Sequence, residues 1–203
     1  MKKYAVLHEP GDIVTLAGTR FVVLDVERRG SLPDSLFLLA LESVGASEFG
    51  SSNNYAESDL KKAVDKWLED MGKRGLDNAK LIPREIDLTT LDGSGCYGKL
   101  SVKAALLTLD EAREYADIIP NAERWCWLAT GWSGPSKSDG DFALYVSSNG
   151  GWSHYYCSGS NGIRPALKIP SDLLLDSADK PDLSEVPTDT LLEEIRRRVV
   201  DKA

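Results

Sequence analysis

The chain has 203 residues, of which 42% are hydrophobic and 28% charged, with a formal net charge of −8 and a pI of about 4.9. That length suits one domain of about 150 to 170 residues plus an appendage, and it can bury a core without help from disulfides or metals. The negative balance excludes the broad basic stripe with which nucleic-acid binders neutralise phosphates, and it disfavours an anionic membrane surface. The one dense basic cluster, Arg196-Arg197-Arg198, is preceded by Glu193-Glu194 and is offset locally.

Three widely spaced cysteines, Cys96, Cys126 and Cys157, argue against a disulfide framework, although they leave room for a single bridge. The first ten residues hold two lysines but no apolar run of signal-peptide length, and no window approaches the roughly 20 apolar residues of a membrane span. The expectation is cytoplasmic synthesis without a signal peptide, with display on a virion or a lysis-released particle as the route outward.

Residues 13–17 and 21–26 are strand-like runs on either side of Gly18-Thr19, a pair that suits a type II′ hairpin turn with glycine first. Phe21-Val22-Val23-Leu24 is apolar on both faces and reads as a central strand, and residues 35–41 give a third strand. Gly, Ser and Asn dominate residues 45–57, a loop anchored by Phe49 and Tyr55. Ser58 then caps a helix whose stripe is Leu60, Ala63, Val64, Trp67, Leu68 and Met71, with Gly72 as its stop. Residues 76–98 alternate short apolar runs with turn residues. Residues 100–107 read as a strand, and Thr108-Leu109-Asp110-Glu111 is a capping box opening a second helix. Leu109, Ala112, Tyr115, Ala116 and Ile119 form that helix's buried face, and Pro120 ends it.

Residues 125–129 are again strand-like. After a loop over 131–141, residues 142–148 and 152–157 form a hairpin about Asn149-Gly150. Period-two alternation places Trp152, His154 and Tyr156 on one face of its second strand. Residues 163–169 close the fold, and Pro165 suggests an edge or a bulge there. Residues 171–187 have the Asp/Ser/Pro texture of a linker. A terminal amphipathic helix over 188–203 carries the stripe Leu191, Leu192, Ile195 and Val199. About 14 residues of helix are marginal alone, so this one needs the body, a partner or a second copy to pack on. The domain plan is therefore 1–170 as an α+β body, 171–187 as linker and 188–203 as helix.

Trp125-Cys126-Trp127-Leu128, then a Gly/Ser loop, a strand–turn–strand and Gly162-Ile163-Arg164-Pro165-Ala166-Leu167, resembles an uncharacterised bacterial and phage domain family ending in W-W-L-R-S … G-V-R-P-A-L. Residues 11–26, Ser58 to Leu68 and residues 105–112 are similar to that family's opening hairpin, first helix and F-L-L-S-L-x-E segment, so the resemblance covers about 11–169. The pattern also resembles the broader C-type-lectin-like fold, which includes formylglycine-generating enzymes and variable receptor-binding proteins of phage. It implies two helices packed on small, mostly antiparallel sheets, paired terminal strands and a loop-rich ligand face. The family's arginine after W-L is replaced here by Ala129, and the first helix is about one turn longer. Neither Cys126 nor Cys157 matches the copper cysteines of the formylglycine-generating enzymes, so that activity is not carried over.

The residues that a binding function would use are Trp132, Asp139, Asp141, Trp152, His154 and Tyr156. Flat aromatic faces stack on sugars or apolar side chains, while Asp and His fix orientation. The competing reading buries one side of the hairpin, Trp152 included, in the core. Trp125, Trp127, Gly162, Arg164 and Pro165 read as framework. Arg164 either locks the closing strand through carbonyls or a buried acid, or binds an anion. No cofactor is expected; calcium at Asp139-x-Asp141 and a metal at His154-x-x-Cys157 are lesser readings, because each lacks a full ligand set. No nucleophile elbow or phosphate-binding motif is present. The expected function is a non-enzymatic module recognising a surface glycan or a protein. The alternatives are a hydrolase using a carboxylate or His154, or an assembly protein acting through its terminal helix.

Overall fold

The computed structural model describes residues 2–4, 8–29, 32–136 and 139–177. Over these the chain is α+β and mostly strand. Strands β1 (Lys2–Tyr4), β2 (Ile13–Leu16), β3 (Thr19–Arg29), β4 (Leu32–Ala40) and β5 (Ala46–Glu48) precede helix α1 (Asp59–Lys73). Then come β6 (Arg84–Asp87), β7 (Lys99–Val102), β8 (Ala104–Ala105) and helix α2 (Leu109–Glu114). The chain continues through β9 (Cys126–Gly131), β10 (Phe142–Val146), β11 (Trp152–Tyr156), β12 (Ser160–Gly162), β13 (Ala166–Pro170) and β14 (Leu174–Ser177).

The larger sheet has the order β1-β14-β2-β3-β4-β13-β8, and all its pairings are antiparallel. The second has the order β11-β10-β9-β12-β5, with a single parallel contact where Gly162 meets Cys126. Strands β6 and β7 form a separate ribbon. The expected central strand is found, and β3 and β4 are buried on both faces. Phe21, Val23, Leu36 and Leu38 pack into one apolar cluster with Leu60, Val64 and Met71 of α1. Val22, Leu24, Phe37 and Leu39 pack into another with Leu109 and Ala112 of α2. A strand covered on both sides cannot alternate polar with apolar residues, which is why these runs are continuous.

Both helices begin where the sequence places them. The Ser58 hydroxyl accepts from the Lys61 N–H, and the full capping box of Thr108 and Glu111 is formed. Their ends differ. The first helix runs past Gly72 to Lys73, and Gly75, with φ of +102°, turns the chain out while Leu76 N–H bonds back to Met71. The second has only six helical residues before looser turns carry the chain to Pro120, and Ala116 is exposed rather than buried.

Three other sequence expectations are corrected. The strand read over 100–107 is two strands, β7 and β8, in different sheets. Pro165 lies at neither an edge nor a bulge: it precedes β13, which is held between β4 and β8, and its carbonyl accepts from Ala40. The body also does not end at Pro170. Strand β14 pairs with β1 and β2, so the chain re-enters the larger sheet within the stretch read as linker. The remainder of that stretch, and the helix carrying Leu191, Leu192, Ile195 and Val199, lie outside the described residues.

The first hairpin turns on Ala17-Gly18, with Leu16 opposite Thr19, rather than on Gly18-Thr19. Both central residues have positive φ, +47° and +75°, which is the type I′ signature. Alanine in the left-handed region costs about 1 kcal/mol, whereas asparagine tolerates it. Ala17→Asn should therefore stabilise the fold by about 1 kcal/mol, read as a higher denaturation midpoint with an unchanged slope.

Candidate functional site

The candidate ligand face is built by β9, β10 and β11. Strand β9 is buried along its whole length, and Ala143, Leu144 and Tyr145 of β10 are buried beside it. All five residues of β11, the end strand of its sheet, are exposed. The β10–β11 connection is three residues rather than a two-residue Asn-Gly turn. Gly150 N–H bonds to Ser147 O, Ser147 N–H bonds to Gly151 O, and Gly150 takes φ of +84°. Cys157 N–H donates to Asp141 O. The 147/151 and 141/157 pairs are thus the hydrogen-bonded ones. In the alternation of an antiparallel ladder, Trp152, His154 and Tyr156 direct their own N–H and C=O groups away from β10.

Phe142, Leu144 and Val146 stand directly opposite Tyr156, His154 and Trp152, so all six side chains share one face. His154 lies with its ring centroid 3.9 Å from that of Trp132 and 5.3 Å from that of Phe142. Phe142 and Tyr156 are 4.2 Å apart. The Arg113 guanidinium of α2 sits 5.4 Å from the Trp152 ring. Of the six residues singled out for binding, Trp132, His154, Trp152 and Tyr156 therefore lie along one aromatic strip. Trp152 is 44% and Tyr156 53% exposed, which puts both outside the core. Trp132 is half-buried and packs against the α2-side cluster.

Asp139 and Asp141 are exposed where the loop returns to β10. Among the described residues no three His, Cys, Asp or Glu side chains converge, so neither the calcium nor the His154–Cys157 reading acquires a donor set. Cys157 is buried while His154 is exposed.

Asn53, fully buried, holds the loop in place and was not singled out in the sequence. Its Nδ2 donates to Ser133 O and Phe142 O at 2.9 and 3.0 Å, and its Oδ1 accepts from the Tyr97 hydroxyl at 2.6 Å. A Cβ on Gly131 would come within 2.9 Å of that amide, so the loop and Asn53 fit only with glycine there. The signal was an asparagine within a Gly/Ser/Asn run, a composition that by itself marks only a loop.

The framework residues divide. Trp127 is buried; its indole N–H donates to Ser47 O and its ring meets Phe49 edge-on at 5.6 Å. Gly162 is tightly enclosed: a Cβ there would come within 2.9 Å of Ser43 Oγ, Arg124 Cδ and Cys126 Sγ. Arg164 locks the crossover between sheets, donating from Nε to Ala40 O and from Nη1 to Pro120 O. Trp125 departs from the framework expectation. It precedes β9, is 44% exposed, and stacks on Tyr145 at 4.8 Å with Tyr155 edge-on, on the hairpin's other face.

Burial pushes the Cys126 thiol up to about 11 and the Cys157 thiol up to about 12, with Asp141 adding to the latter. Neither is a thiolate at neutral pH. All three cysteines are free and only Cys96 is exposed. Among the described residues no helix is long and apolar enough to cross a membrane.

A thiol reagent at pH 7 should thus titrate one cysteine in the native protein and three after unfolding. Alanine substitutions should rank by burial: about 3–5 kcal/mol lost for Trp127→Ala, an intermediate loss for Trp132→Ala, and about 0.5 kcal/mol for Trp152→Ala, by denaturant titration. Compared with known proteins, the chain matches no protein-family model, no curated protein and no solved structure.

Proposed function

We propose that this chain is a non-enzymatic binding module of C-type-lectin-like architecture whose ligand is a surface glycan or a protein. The observation that carries the reading is the aromatic strip on an end strand, with Trp152, His154 and Tyr156 exposed beside Trp132 and Phe142. Exposed aromatic side chains cost solvation and contribute nothing to the core, whereas on a binding surface they supply large, rigid contact area at small entropic cost. The strip rests on a rigid base, since β9 and β10 are buried beneath it and Asn53 fixes the adjoining loop. Support for the architecture comes from two helices that both precede the strands β9 to β12 of the second sheet, and from terminal strands β1 and β14 that pair. The ring arrangement suits stacking against sugar faces or apolar side chains, with Asp139 and Asp141 near enough in sequence to polarise one end of the strip.

A glycan array together with a protein-capture screen tests this reading. Tyr156→Ala and Trp152→Ala should each weaken the captured ligand by at least about tenfold, as residues at a binding centre do, while the melting temperature moves by no more than about 2 °C. Binding unchanged in both variants would remove the strip from any recognition role. Turnover of a glycoside or ester substrate, lost in His154→Ala, would replace the module with a hydrolase.

A further inference from the structure

The hairpin has a second aromatic surface, on the face opposite Trp152, His154 and Tyr156. Trp125 and Tyr145 stack there with their rings 12° from parallel and their centroids 4.8 Å apart. Tyr145 is 7% exposed and Trp125 44%, so the indole is the outer ring of the pair: one of its faces covers the phenol and the other is turned to solvent. Tyr155 meets Trp125 edge-on at 6.5 Å. Tyr155 is itself seated on Gly159, where a Cβ would come within 2.2 Å of its ring, so only glycine lets the ring lie there. The Trp125 backbone is tied as well, its carbonyl accepting from Gly162 N–H. A flat indole face is thus held toward water in one orientation, and a contact surface fixed in advance loses little entropy on binding.

Beside this ring runs an open groove of about 440 Å³, between the segment leading into β9 and strand β12. That is within the range of roughly 300–1,000 Å³ found for small-molecule clefts. Its walls are Glu123, Arg124, Trp125, Ser148, Ser160 and Asn161. Glu123, Arg124, Ser148 and Ser160 are exposed, and none of their side chains has a hydrogen bond or ion pair to another described residue. The Arg124 stem lies against Gly162, where a Cβ would come within 2.9 Å of its Cδ, so the glycine makes room for the stem and holds it in place. A carboxylate, a guanidinium and two hydroxyls, donors and acceptors both, therefore border one free aromatic face.

We propose that this groove binds a neutral hexopyranose unit of a glycan, with the C–H face of the sugar on Trp125 and its hydroxyls bonded by Glu123, Arg124, Ser148 and Ser160. A pyranose ring has two kinds of surface. One is a C–H face that the negative face of an indole attracts, and the other is a hydroxyl rim that needs donors and acceptors together. The groove sets the matching groups side by side. A neutral sugar fits better than an acidic one, because Glu123 stands next to Arg124 and a chain of net charge −8 repels anions. An apolar side chain of a protein partner would cover the polar wall without bonding it, which costs desolvation. The groove lies on the other face of the hairpin from the Trp152 strip, and neither site requires the other.

The test is a saturation-transfer NMR titration of the full chain with four methyl hexopyranosides (gluco, galacto, manno and N-acetylgluco), with sorbitol and glucuronate as controls. At least one of the four should bind saturably, with transfer concentrated on its ring C–H protons. Sorbitol, which has the hydroxyls but no flat C–H face, should not bind, and glucuronate should bind no tighter than the neutral sugars. Trp125→Ala should weaken binding by about tenfold or more. Glu123→Ala, at an exposed position with no partner in the fold, should weaken it by about tenfold at an unchanged melting temperature, and it serves as the check if Trp125→Ala fails to fold. The proposal is overturned by no saturable binding of any of the four, by sorbitol binding as tightly, by glucuronate binding tighter, or by unchanged binding in the folded variants. Sugar binding lost in Trp152→Ala and kept in Trp125→Ala would also overturn it while leaving the strip as the recognition site, so the two readings fail separately.

Discussion

The structure depends on strand β9 being buried on both of its faces. Trp127 and Ala129 enter the cluster shared with α1, while Leu128 enters the cluster shared with α2. Its backbone is committed on both sides as well, to β10 through the ladder and to β12 at Cys126, with Ala129 N–H reaching back to Leu107. The Thr130 hydroxyl accepts from the first N–H of α2. One six-residue strand therefore joins the two sheets, fixes the start of a helix and anchors the hairpin outside it. Any disturbance there is felt in both clusters at once, because close-packed interiors transmit strain rather than absorb it.

The parts legible in the sequence are those governed by local chemistry. Ser58 and Thr108 open their helices because the capping donors lie three residues away, and Phe21 to Leu24 read as central because continuous apolar runs are buried on two sides. What escaped was set by distant residues. Gly72 looked like a stop, yet the helix continues to Lys73 because Asn78 Nδ2 bonds the Leu68 carbonyl nearby and Gly75 supplies the left-handed turn one position after the cap. Residues 100–107 are apolar enough for one strand, but the chain changes sheets within them, and hydrophobic pattern does not encode which sheet a strand joins. Strand β14 was read as linker because Asp and Ser outnumber apolar residues around it.

The candidate site was legible by composition but not by placement. Period-two alternation separates Trp152, His154 and Tyr156 from Ser153 and Tyr155, and one of those faces would ordinarily be core. Both faces of β11 are exposed, a fact of what packs over the strand rather than of spacing. Trp125, read as framework beside Trp127, lies on the surface: it falls one residue before β9 begins. Arg113 and Asn53 come from segments 39 and 99 positions before Trp152, by sequence number, and only folding brings them to bear on the hairpin.

The outward N–H and C=O groups of Trp152 and His154, with the N–H of Tyr156, make β11 an unguarded rim, closed at one end where the Tyr156 carbonyl accepts from Gly159 N–H. Native sheets usually blunt such a rim with lysine, proline or a bulge, and this strand carries none of them. Among the described residues no further strand pairs with it. What keeps two copies from joining rim to rim is then long-range rather than local: a chain of net charge −8 repels its own kind before strands can meet. That protection belongs to the ionic atmosphere as much as to the protein. It contracts as the Debye length falls from about 10 Å in 0.1 M salt to about 3 Å in 1 M. The acidic composition thus acts as a colloidal guard for one bare strand.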